Sequence, residues 1–275
     1  MTLRTTSGIA YDRAGPSGRT PIVLVHAGVA DRRMWHPQWA ALSADRDVLR
    51  LDLRGFGASE QPPTGPLSPV DDLLDTLDHA GVDRCHLVGA SFGAGVAVEA
   101  ALGRPGLAAS LLLSAPGGSL IAEATPQLRE FFAAERQALA ADDIEAAVEA
   151  NLRWWVDGPQ RPPGTVPATA ESVRELVAAM QRRAFELTAG WDDVAEAELD
   201  PPALERLGEL TAPALVLLGE VDLDAIADTA ARLAAGLPRA RLVRWPDVAH
   251  LPSLERPDDF TELLRHWLAE VEAAG

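Results

Sequence analysis

Six short apolar runs punctuate this chain between longer stretches of helical character, and that alternation constrains the fold more than any other feature. The runs are Ile22 to Val25, Val48 to Leu51, Cys85 to Val88, Ser110 to Leu113, Ala214 to Leu218 and Arg241 to Trp245. Runs of this length and β-rich composition read as strands buried on both faces. Helical stretches follow several of them: Gly93 to Leu102, Ala225 to Ala235, and Phe260 to Glu272, the last preceded by Pro257. Strands joined through helices pair in parallel, because the crossover carries the chain back to the same end of the sheet. The predicted fold class is α/β, a doubly wound and mostly parallel sheet.

Between about Gly118 and Leu207 the strand rhythm stops. Helical patterns near Gln127 to Ala140, Ile144 to Trp155 and Ser172 to Leu187 replace it, with a proline-rich piece from Pro159 to Pro167. Strands resume at Ala214, so the segment reads as a helical cap inserted between two strands of one sheet. The expected organisation is a core formed by residues 1–117 and 208–275 with a cap of 118–207. A length of 275 residues suits one large domain with such an insertion, and 47% hydrophobic residues rule out intrinsic disorder.

Charge narrows the partners. The chain carries 24 basic residues, every one an arginine, against 41 acidic ones, for a formal charge of -17. A field of that sign repels phosphate backbones and anionic lipid, so neither nucleic acid nor a membrane surface is expected as a partner. Without lysine there is no Schiff base to pyridoxal phosphate and no phosphate-gripping P-loop lysine. The single cysteine, Cys85, excludes an intramolecular disulfide and zinc-finger spacing. The N-terminus lacks an apolar signal region and no run approaches membrane-spanning length, which makes the cytoplasm the expected location.

The chemistry concentrates at Gly89-Ala90-Ser91-Phe92-Gly93, directly after one strand and directly before a helix. A serine in so sharp a strand-to-helix turn takes strained backbone angles, and small neighbours let the chain double back while the hydroxyl stands above the sheet. This is the arrangement of a nucleophile elbow. A serine hydroxyl needs a base to become nucleophilic. Of the six histidines, His79 and His266 lie in helical patterns, His36 at a helix start, and His86 inside a strand. His26 reads as a loop brace, with no second histidine at metal-ligand spacing. His250 follows the last strand in a loop at the carboxyl end of the sheet, where Ser91 also belongs, and is the expected base.

A carboxylate should orient that imidazole. The turn Gly219-Glu220-Val221-Asp222-Leu223-Asp224 offers three acids. Asp222 lies far enough past the strand to turn towards His250, whereas Asp224 is placed to cap the helix beginning near Ala225. Glu220 remains the third option. Two backbone amides should hold an oxyanion: that of Phe92, next to the nucleophile, and that of Gly28, in the loop His26-Ala27-Gly28-Val29.

In order along the chain, His26-Ala27-Gly28, Asp52-Leu53-Arg54-Gly55-Phe56-Gly57-Ala58-Ser59, the elbow at Ser91, Gly219-Glu220-Val221-Asp222 and Ala249-His250-Leu251-Pro252 resemble the α/β-hydrolase superfamily over nearly the whole length. The set is most similar to small esterases, 3-oxoadipate enol-lactonases, meta-cleavage C–C hydrolases and cofactor-free haloperoxidases, which insert a helical cap where this chain has Gly118 to Leu207. Ala27 replaces the glycine that usually follows the histidine, but it is still a small residue. Serine at position 91 separates the chain from the haloalkane dehalogenases and epoxide hydrolases, which use aspartate there.

The resemblance implies a serine hydrolase that cleaves a small ester or lactone with no cofactor or metal. C–C cleavage, a non-hydrolytic step on the same residues, and a ligand receptor on a hydrolase scaffold are the alternatives. Trp154, Trp155 and Trp191 in the insertion are candidates to line a substrate pocket, and Arg153, Arg182 and Arg183 to bind a substrate carboxylate. Oligomeric state is not legible.

Overall fold

The structure, a computed structural model, describes residues 2–161, 170–191 and 193–274. Most of the proline-rich piece therefore lies outside the described residues. Eight strands form one sheet: β1 (Leu3–Arg4), β2 (Ala10–Ala14), β3 (Ile22–Val25), β4 (Val48–Leu51), β5 (Cys85–Ala90), β6 (Ala108–Ser114), β7 (Ala214–Gly219) and β8 (Ala240–Trp245). Their order is β1-β2-β4-β3-β5-β6-β7-β8, with β3 to β8 parallel and β1 and β2 antiparallel at one edge. Every residue of β3, β4, β5 and β7 is buried, as expected for strands covered on both faces.

The two N-terminal strands carry no apolar run. β2 reads Ala-Tyr-Asp-Arg-Ala, and its charges are matched across the sheet: Asp12 accepts from Arg32 and Arg50, and Arg13 pairs with Asp47 at 2.7 Å. Such a strand is stabilised by tertiary ion pairs, which a hydrophobicity pattern does not register.

The helices are α1 (His36–Leu42), α2 (Pro69–Ala80), α3 (Phe92–Gly103), α4 (Pro126–Ala140), α5 (Ile144–Asn151), α6 (Ala170–Thr188), α7 (Ala203–Arg206), α8 (Asp224–Gly236), α9 (Pro252–Glu255) and α10 (Pro257–Ala273). Within the sheet's helical layers α1 packs against α10 and α2 against α3. α4 to α7 fall between β6 and β7, which are nevertheless hydrogen-bonded neighbours. The stretch expected as one helix from Ile144 to Trp155 divides: α5 ends at Asn151 and continues as a π-helical turn over Leu152–Asp157.

Strand order locates the crevice. From β3 the chain moves to β4 on one side, then returns to β5 on the other, so the loops leaving β3 and β5 diverge. Between them opens the gap at the carboxyl ends of the strands where α/β sheets bind ligands.

Candidate active site

Ser91 occupies the turn between β5 and α3 with φ 50 and ψ -116, a region that L residues rarely visit. The elbow is closed by two glycines. A Cβ on Gly89 would lie 2.3 Å from the Gly93 carbonyl oxygen, and one on Gly93 would lie 2.4 Å from the His26 carbonyl oxygen. The amide of Ser91 donates to the Ser114 carbonyl at 2.9 Å, and its own carbonyl accepts from Gly117 at 3.1 Å, which ties the turn to the end of β6.

His250 lies in the loop between β8 and α9. Its Nε2 is 2.7 Å from Ser91 Oγ and its Nδ1 is 2.7 Å from Asp222 Oδ2, with both His250 and Asp222 buried. A carboxylate only accepts, so Nδ1–H donates to Asp222, and Nε2 is left with its lone pair facing the serine O–H. The other oxygen, Asp222 Oδ1, accepts from the Leu223 amide at 2.7 Å. Asp224 is engaged elsewhere: its Oδ1 accepts from the Thr125 hydroxyl at 2.6 Å and from the Ala225 amide at 2.8 Å, joining the start of α8 to α4. Glu220 is exposed and takes no part in this chain of hydrogen bonds.

Gly28 and Phe92 flank the same space; a Cβ on Gly28 would sit 3.4 Å from that of Phe92. Among the described residues neither amide donates a hydrogen bond, so both are free to meet an acceptor. His26 braces the loop that carries Gly28: Nδ1–H donates to the Ala27 carbonyl at 2.9 Å and Nε2 accepts from the Leu53 amide at 3.0 Å. Burial pushes the His26 imidazole down, which keeps it in this neutral form. The remaining histidines stand apart: His86 hydrogen-bonds Ser110 inside the sheet, His79 meets Tyr11, His36 sits beside Arg50, and His266 is exposed.

A cavity of about 380 Å³ opens over Ser91 and His250, lined mostly by apolar and aromatic side chains. Of the three tryptophans proposed for its wall, only Trp155 lines it, with its ring 4.4 Å from that of His250 and Phe131 edge-on behind it at 5.1 Å. Trp154 is buried off the cavity, because adjacent residues on a helical turn cannot face the same way. Trp191 packs on Gly55 beyond the end of α6. The three arginines are also directed elsewhere: Arg182 pairs with Glu145, Arg183 with Glu60, and Arg153 lies over the Trp154 ring.

Sequence reasoning missed Glu255. Its carboxylate accepts from the amides of Ala249 at 3.0 Å and Leu251 at 3.2 Å, on either side of His250, and pairs with Arg161 at 2.9 Å, both side chains 6% exposed. Arg161 also donates to the carbonyls of Asp157 and Asp247, so it fastens the π-helical turn to the histidine loop. No motif marks either residue. Among the described residues, no cluster of three or more potential ligands could hold a metal ion, and no helix is long and apolar enough to cross a membrane.

The signature of the alpha/beta hydrolase family matches residues 22–263, nearly the whole sheet and both sides of the crevice. The chain belongs to that family. Its relatives include the RutD protein of Azorhizobium caulinodans, named as a carbamate hydrolase, 29% identical with 92% of each chain covered. A pimeloyl-[acyl-carrier protein] methyl ester esterase of Pectobacterium atrosepticum is 26% identical over 92% of this chain and 95% of its own. Among solved structures, the enol-lactonase of Burkholderia xenovorans superposes with a TM-score of 0.75 at 25% identity, covering 98% of this chain and all of its own. The protein is thus an enzyme of the α/β-hydrolase type, in a neighbourhood of esterases and lactonases.

Proposed function

We propose that the protein is a serine hydrolase that cleaves a small carboxylic ester or lactone through an acyl-enzyme. The observation that carries this is the unbroken chain Asp222, His250, Ser91, with 2.7 Å at each step, opening on an apolar cavity. In this reading residues 118–207 form a cap over a core of residues 1–117 and 208–275, and Trp155 is the cap residue that shields His250 from water.

Ser91 Oγ attacks the carbonyl carbon while its proton passes to His250 Nε2, and the resulting oxyanion accepts from the amides of Gly28 and Phe92. The C–O bond to the alcohol then breaks, and His250 returns its proton to the departing oxygen. Water enters, loses a proton to His250, and attacks the acyl carbon, which releases the acid and restores Ser91. Asp222 holds the imidazole in the required tautomer and stabilises the imidazolium. A fluorophosphonate probe is expected to label the wild type at one site and a folded Ser91→Ala variant not at all, with aryl-ester hydrolysis lost in parallel and unaffected by EDTA. Labelling that persists in the variant contradicts the assignment. A receptor on the same scaffold would bind such esters and leave them intact.

A further inference from the structure

The cavity is not uniformly apolar. Its wall includes Glu135 from α4, Asn151 from the end of α5 and Gln181 from α6. Asn151 is buried, and its Nδ2 donates both hydrogens, to Glu135 Oε1 at 2.6 Å and to the Ala147 carbonyl at 2.9 Å. The Glu135 carboxyl makes no other hydrogen bond among the described residues and so retains acceptor capacity beside the cavity.

Gln181 is 5% exposed, lines the same cavity and makes no hydrogen bond among the described residues, and its Oε1 is shut away from water. An oxygen closed to water beside a cavity that is open to it does not face that cavity, so the acceptor offered to a ligand is Glu135 and not Gln181. Among the described residues no arginine lines this cavity, and Glu135 is its one acidic residue.

Resting on the reading of Ser91 as the nucleophile, we propose that Glu135 selects substrates by the group at the end of the tail that enters the cavity. The favoured substrate has an apolar body that ends in a hydrogen-bond donor, a hydroxyl or an amine, and a substrate that ends in a carboxylate is rejected. A donor tail meets a free lone pair of Glu135, whereas a carboxylate tail brings a second anionic acceptor against it. Burial pushes the Glu135 carboxyl up, and a donor or cationic tail offsets that by favouring its charged form.

Straight-chain alkylboronic acids of matched length, ending in methyl, hydroxyl, ammonium or carboxylate, test this. Boron accepts an electron pair from Ser91 Oγ to become tetrahedral, and the hydroxyl proton passes to His250, so the single tail must take the cavity. By calorimetry on the wild type, the hydroxyl and ammonium ends are expected to bind about tenfold tighter than methyl, and the carboxylate end about tenfold weaker. Glu135→Gln should bring the carboxylate and ammonium compounds together, and Glu135→Leu should shrink the hydroxyl-to-methyl ratio. Wild-type affinities that ignore the tail would overturn this inference and leave the Ser91 reading standing. Failure of every boronate to bind, methyl included, would overturn both.

Discussion

Asp222 and Asp224 stand two residues apart and do different work. Asp222 accepts from His250 Nδ1, and an asparagine there could present its amide N–H to the ring and favour the wrong tautomer. Asp222→Asn is expected to lower kcat by roughly three to four orders of magnitude with the fold intact, as steady-state kinetics and circular dichroism would show. Asp224 receives the Thr125 hydroxyl and the Ala225 amide, so Asp224→Asn should cost about 1 kcal/mol of stability, read from a urea titration, and little activity. The reverse ordering of the two variants would move the acid to position 224. At Gly89, where a Cβ would meet the Gly93 carbonyl oxygen at 2.3 Å, an alanine has nowhere to go without opening the elbow. Gly89→Ala is therefore expected to lose folded protein, not merely turnover.

The loop between β8 and α9 is held from below by one buried carboxylate. Removing it in Glu255→Ala leaves the amides of Ala249 and Leu251 unpaired and the Arg161 guanidinium buried without its partner. Breaking such a pair typically costs about 3–5 kcal/mol, so a marked fall in melting temperature is expected. Where the variant still folds, kcat should drop more than KM rises, because His250 is displaced while the cavity wall remains. Glu255→Gln keeps an acceptor for the amides and should be the milder change, and equal effects from the two would remove the loop-bracing role. These relations show what the sequence makes legible. Strand, turn and helix are contiguous around Ser91, so its position can be read from about a dozen neighbouring residues. His250 and Asp222 follow because each must lie just past a strand end. Glu255 meets Arg161, and Asn151 meets Glu135, across stretches of chain that carry no signal of the pairing, and a helix has several faces, so only the packed structure tells which residue looks inward. Trp154 and Trp155 make the same point, since only their placement on the π-helical turn separates them.

At the scale of the whole molecule, the buried His86 links stability to acidity. Desolvation inside the sheet pushes its imidazole down to about 4 from an ordinary 6.5, against the pull of Glu272. Between those values the unfolded chain binds a proton that the native chain refuses, so the contribution of His86 is complete above about 6.5 and is lost as pH falls towards 4. Urea midpoints measured across that window should decline, and His86→Gln should flatten the decline; an unchanged slope would place the acid sensitivity elsewhere. The pairing of β6 with β7 has a different kind of consequence. Residues 115–213 separate these two strands, so a ribosome finishes and releases the whole inserted stretch before β6 meets its partner. Until then the nascent chain presents the bare edge of Ala-Ala-Ser-Leu-Leu-Leu-Ser, an apolar strand with unpaired amides and carbonyls that invites intermolecular pairing. A chain stopped short of β7 should therefore accumulate as aggregate, while the full-length product, whose β7 and β8 close over that edge, stays dispersed.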